Sequence, residues 1–163
     1  MAQDVLLNQI EGFQPSQAST QLSLPFAVEA SWVTGKWAKL KKYLTESRLT
    51  LGGDFNVGVG SALLALSQDE TDNFSDILDR LRQNTAKSLS ATNAVSLQSC
   101  HDAMLQFHVL TEIEVISGIR NKEDMERSSL VKSLNQRLDV LGAFLSDKQY
   151  ILGLRRATMQ VSK

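Results

Sequence analysis

The sequence predicts an all-α chain, and three observations carry that prediction. Only 2 prolines and 9 glycines interrupt 163 residues, so few positions oppose a helix. Aromatic residues are scarce at 6%, and Leu, Ala, Ser, Lys and Gln dominate. Apolar residues return every three or four positions in segment after segment, the period of a helix face rather than of a strand. The 42% apolar and 21% charged shares suit a globular chain long enough to bury a core without staples. The expected architecture is a single α-solenoid segment over residues 1–163. It consists of degenerate TPR-like or HEAT-like repeats, about seven or eight helices, antiparallel because their connections are short.

Residues 4–13 predict a short helix with Val5, Leu6, Ile10 and Phe13 on its apolar side. Residues 14–23, QPSQASTQLS, predict a polar, mobile linker. Ser23 stands where it can cap the next helix, with Pro25 in the first turn, where a missing N–H costs least. That helix runs to about Thr34 and Gly35 ends it. A second short helix carries Trp37, Leu40, Tyr43 and Leu44. The LGGD at 51–54 is a turn.

Residues 55–66 form a small, apolar helix. Ser67 and Glu70 have capping-box spacing before a helix to about Leu89. In that helix Phe74, Ile77, Leu78 and Leu81 share one face. Thr92 or Asn93 opens a long helix to Ser117. Its apolar positions are Val95, Leu97, Cys100, Met104, Phe107, Leu110, Ile113 and Ile116, with Leu105 and Val109 on another side. A stripe that wide implies neighbours on two sides. After a polar break at 118–124, residues 123–145 read as one helix with Leu130, Leu134, Leu138, Leu141 and Leu145 along it. Ser146 and Gln149 repeat the capping-box spacing and open a last helix to about Val161. Gly153 inside it costs ~1 kcal/mol against alanine and permits a close helix–helix approach.

The net charge of −1 gives no global pull toward nucleic acid or an anionic membrane. No apolar run approaches the roughly 20 residues of a membrane helix. The N-terminus, MAQDVLLNQIEGF, lacks the basic start and apolar core of a signal peptide. The single cysteine, Cys100, cannot form an internal disulfide and suggests a reducing compartment.

The glycines of GGDFNVGVGS lack a preceding strand and a lysine at phosphate-loop spacing, so they read as a turn and a small-residue helix face. His101, His108 and Glu112 share one helical face, near Cys100. Metal ligands favour i, i+4 spacing or separate elements, so a structural role is expected for the histidines. Lys36, Lys39, Lys41 and Lys42 cluster beside Trp37 and read as a solvated helix face. Arg155 and Arg156 near the end of the last helix suit its dipole, or contact a neighbouring repeat. No nucleophile–base pair or carboxylate cluster stands out, and no catalytic, cofactor-binding or metal residue is expected.

Trp32 and Trp37, the only tryptophans, flank Gly35. The spacing of Ala, aromatic, Gly-x-aromatic and then small and apolar positions matches the middle of a tetratricopeptide repeat, with the tryptophans filling the wedge between its helices. In order, VEASWVTGKWAKLKKYL, FNVGVGSALLAL, HDAMLQFHVLTEIE and RLDVLGAFLSDKQYILGLRRATM follow one another. That order resembles the FAT region of the phosphatidylinositol-3-kinase-related protein kinases, closest to the ATR checkpoint branch. There the ILxLRRA motif corresponds to Ile151, Leu152, Leu154, Arg155, Arg156 and Ala157. The resemblance covers roughly residues 26–159.

It implies a segment of a large nuclear serine/threonine kinase in DNA-damage and replication-stress signalling. The implied partners are other helical repeats and the kinase domain of the parent chain, and an ATRIP-type regulatory protein. Direct nucleic-acid or membrane binding is not implied. ATP and Mg would belong to a kinase domain that nothing here resembles. Ser16-Gln17 and Ser67-Gln68 carry the dipeptide such kinases phosphorylate. A stand-alone helical adaptor is the alternative reading.

Overall fold

The computed structural model describes residues 17–47, 53–91, 96–121 and 124–162. Among them are seven α-helices and no strand. These are α1 (Gln17–Val33), α2 (Trp37–Ser47), α3 (Phe55–Ser67), α4 (Thr71–Ala91), α5 (Leu97–Ser117), α6 (Asp124–Val140) and α7 (Leu145–Val161). A 3-10 turn, Gly118–Asn121, follows α5. The all-α reading and the number of helices agree with the sequence. The helix predicted over residues 4–13 lies outside the described residues. The chain divides into two compact units, residues 1–81 and 82–163, and α4 runs across the boundary.

In the first unit α1, α2 and α3 each pack against the other two. Val28, Trp32, Leu40, Val59, Ala62 and Leu63 are fully buried there. The α1–α2 turn is closed by two hydrogen bonds. The Gly35 N–H donates to the Trp32 carbonyl at 3.2 Å, and the Lys36 N–H to the Ser31 carbonyl at 2.8 Å. This is a Schellman cap, and Gly35 has the left-handed φ of 70° that it requires. Trp32 is buried under the turn and Trp37 half-buried beside it, as a wedge between the two helices requires.

In the first unit two local expectations change. Helix α1 starts at Gln17, so most of the stretch read as a linker is helical, and the rest lies outside the described residues. No glycine or proline interrupts residues 17–24, and alanine and glutamine are good helix formers. Pro25 therefore sits well inside the helix and has no N–H to give the carbonyl four residues back. The second change is at the end of α3. Ser67 does not cap α4; its hydroxyl donates back to the Leu64 carbonyl at 2.6 Å. The chain instead closes a second Schellman cap. The Asp69 N–H donates to Leu66 O at 3.3 Å and the Glu70 N–H to Ala65 O at 3.0 Å, with Asp69 in the left-handed region at φ 57°.

Helix α3 explains the glycine-rich stretch. Asp54 Oδ1 accepts from the Val57 N–H at 3.0 Å and caps the helix. A Cβ at Gly60 would lie 2.5 Å from Val28 Cγ1 and 3.2 Å from Leu40 Cδ1, so only hydrogen fits where α3 meets α1 and α2. A Cβ at Gly58 would collide with the Leu81 side chain of α4. Phe74, Ile77, Leu78 and Leu81 bury one face of α4, as their spacing predicts.

In the second unit α5 packs chiefly against α7. Helix α5 starts at Leu97, where Ser96 Oγ accepts from the Ser99 N–H at 3.3 Å. Val109, Leu110, Ile113 and Ile116 are buried, whereas Leu97 and Met104 of the predicted stripe are exposed. The single helix predicted over 123–145 is two pieces. Helix α6 stops at Val140 because Gly142, at φ 59°, turns the chain, its N–H donating to the Asp139 carbonyl at 3.0 Å. Helix α7 then starts at Leu145 with Phe144 at its cap and no side-chain capping bond, so the Ser146–Gln149 box does not form.

Candidate functional site

A charged cluster lies buried in the second unit, at the meeting of α5, α6 and α7. Glu112 follows Val109 and precedes Ile113 and Ile116 on α5, so the apolar face that buries them carries its carboxylate inward. Arg155 lies between Leu154 and Thr158 on the inward face of α7. Arg155 Nε donates to Glu112 Oε2 at 2.6 Å, and Nη2 donates to Oε1 at 3.1 Å. Nη2 also donates to the Leu134 carbonyl of α6. His108, one turn before Glu112, places Nε2 3.2 Å from Oε1.

The cluster is a bidentate fork with a third anchor. Burial raises the Glu112 pKa and is the largest single influence. Hydrogen bonds from His108 and Arg155, with their charge, outweigh it together and hold the carboxyl below the usual carboxylate range. Both carboxylate oxygens are engaged by donors. Such a group holds helices; it is poorly placed to abstract a proton.

The residues weighed as metal ligands separate into two sets. His101 Nε2 sits 2.9 Å from Asp147 Oδ2, and its ring packs 4.7 Å from Phe144, centroid to centroid. His108 and Glu112 belong to the buried cluster, and Cys100 is a half-exposed free thiol. No group of three or more metal-type ligands occurs among the described residues. Arg155 is turned into the core instead of serving the helix dipole, and Arg156 is exposed. Lys41 and Lys42 are exposed on α2, with Lys36 and Lys39 partly covered.

The pairing of Glu112 with Arg155 was missed at the level of sequence. The available signal was a charged residue on an apolar helical line in each of two helices, which requires a buried partner of opposite sign.

Residues 24–163 match the FAT domain. The chain belongs to the FAT-domain family. FAT domains mark proteins of the phosphatidylinositol-3-kinase-related kinase type, in which they form a helical scaffold region. No curated protein and no solved structure matches the chain. The FAT match takes in every described helix except the start of α1. No helix of this FAT domain, among the described residues, is long and apolar enough to cross a membrane.

Proposed function

We propose that this FAT domain is the scaffold segment of an ATR-like serine/threonine kinase, acting in DNA-damage and replication-stress signalling in the nucleus. The observation that carries the family is the match over residues 24–163. The reading of the branch is supported by the order of its motifs, from the Trp32–Gly35–Trp37 turn to the Ile151–Ala157 segment. Its work is mechanical: the helices support a kinase domain elsewhere in the parent chain and offer surface to neighbouring repeats and to an ATRIP-type regulatory protein. ATP and Mg act at that kinase domain. The fully engaged Glu112–Arg155 fork favours a holding role for this segment over a reacting one.

Sequencing the native transcript on both sides of the segment tests the proposal. A long open frame leading into a kinase domain with ATR-type motifs is the expected result. A native stop codon directly after Lys163 overturns it and leaves a stand-alone helical adaptor. A kinase domain of another branch keeps the scaffold and removes the checkpoint assignment.

A further inference from the structure

A groove of about 160 Å³ opens between three consecutive helices of the first unit, α2, α3 and α4. All three are internal helices, with α1 before them in the chain and α5 after. The floor is apolar, made by the buried Leu44, Ala65 and Ile77. The rim is polar, and most of its groups can only accept. The Thr45 hydroxyl donates to the Lys41 carbonyl at 2.9 Å, and the Ser61 hydroxyl to the Val57 carbonyl at 3.0 Å. Each commits its one proton to its own helix and keeps only lone pairs for the groove. Asn73 Nδ2 donates to Glu70 Oε2 at 2.8 Å, which orients the carboxylate. Glu70 Oε1, Asn73 Oδ1 and the Gln68 carboxamide have no partner among the described residues. Neither does the Lys41 ammonium. Glu70 is the only carboxylate of the lining and Lys41 its only cation.

Size narrows the occupant. A cavity of ~150 Å³ takes one benzene ring, about six non-hydrogen atoms, and ordinary cofactor pockets start near 300 Å³. The outer part of an arginine side chain, from Cγ to the guanidinium, fills the smaller volume. Its methylenes suit the floor of Leu44 and Ile77. Its planar fork of N–H donors suits several acceptors around one carboxylate. An ammonium is a compact, strongly hydrated point charge and satisfies fewer of them. Lys41 is exposed at the rim and repels a bare cation there. It favours a cation that carries its own carboxylate.

We propose that this groove binds an arginine with a free carboxylate. The guanidinium lies on Glu70 among the oxygens of Thr45, Ser61 and Asn73, and the carboxylate meets Lys41. Free arginine and the C-terminal arginine of a peptide both supply that chemistry. The inference goes beyond the scaffold reading and does not rest on it.

The test titrates the whole 163-residue chain, labelled with nitrogen-15, with L-arginine and follows its amide resonances. Saturable shifts should centre on Thr45, Ser61, Gln68 and Asn73 and leave α5 to α7 unmoved. Citrulline, which has the shape without the charge, should bind about fivefold more weakly, as should lysine and agmatine, the latter lacking the carboxylate. Glu70→Gln should weaken arginine by a similar factor. Lys41→Glu should make agmatine the better ligand. Both side chains are exposed, so unchanged tryptophan emission shows that the variants fold. The tripeptide Gly-Gly-Arg separates the sources: binding at least as tight as arginine supports a peptide C-terminus, and weaker binding supports the free amino acid. No saturation by ~10 mM arginine overturns the proposal. So does equal binding of arginine with citrulline or agmatine, or binding indifferent to Glu70→Gln.

Discussion

In the first unit three helices close on one another where side chains are missing; in the second, three helices close on a buried charge. Gly60 lets α3 approach α1 and α2 to a distance that no larger residue permits. The contact is apolar and short-range, and its strength is dispersion over a well-fitted surface. Arg155 does the reverse. It fills the space between α5, α6 and α7 with a planar cation whose donors all require acceptors. A glycine notch tolerates no addition, whereas a buried ion pair tolerates no subtraction. The two units should therefore fail under different substitutions.

The largest effect is expected at Arg155. Arg155→Ala leaves Glu112 buried without its main counter-charge and should cost about 3–5 kcal/mol. Denaturant unfolding followed by hydrogen exchange should localise that loss to α5 and α7. The double variant Glu112→Leu/Arg155→Met should recover most of it, because two apolar side chains leave no buried charge. A double variant as unstable as Arg155→Ala would show that the pair does more than neutralise itself.

Overpacking is next. Gly60→Ala should cost about 1–3 kcal/mol, less whatever alanine gains as a better helix former. Trp32 and Trp37 both lie in the first unit, so tryptophan emission reports its loss directly. Adding Val28→Ala should restore part of the stability, since Val28 Cγ1 is the atom in the way.

Acid should separate the units more gently. The folded-state pKa of Glu112 lies below its unfolded value, so its contribution is complete above the ordinary carboxylate range near pH ~4. That contribution disappears as the pH falls through the folded value. Glu29 on α1 has the opposite sign, because burial raises its pKa. The cost of its charge is present above the folded value and is relieved as the pH falls. Exchange protection on α5 and α7 should therefore decline below pH ~4, and Glu112→Gln should flatten that decline. Glu29→Gln should raise the neutral-pH stability of the first unit without touching the second.

The smallest effect is expected at Asp69. A left-handed L-residue is strained, so Asp69→Gly should stabilise the α3–α4 turn by about 0.5–1 kcal/mol. A shift in the thermal midpoint checks it. The same comparison at Gly35, where Gly35→Ala should lose a similar amount, shows whether the two caps are equivalent.

Local signals made one part of this structure legible in the sequence. Gly35 between two tryptophans announced a helix stop with an aromatic wedge, because a left-handed cap is a property of one residue and its near neighbours. The face of α4 was legible through Phe74, Ile77, Leu78 and Leu81 for the same reason. The leucines from 130 to 145 misled, because their spacing continues through Gly142, and side-chain period says nothing about backbone handedness. Ser67 misled because two caps competed for the same residues, and the Schellman turn at Asp69 took precedence. The Glu112–Arg155 fork joins residues 43 apart in sequence, and no local pattern reports a partner at that distance. What the sequence did contain was the oddity of each charge in its own apolar row.

The fork has a mechanical consequence. Two helices joined only by apolar side chains can slide past each other in steps of one turn, about 5.4 Å, because one greasy ridge fits nearly as well as the next. Arg155 resists such a step, since its fork reaches the Glu112 carboxylate on α5, and the residues a turn either side of it, His108 and Ile116, offer no carboxylate. A pull along α7 is thereby delivered to both neighbouring helices as a unit. The second unit behaves as a keyed joint, stiff along its axis until the key breaks.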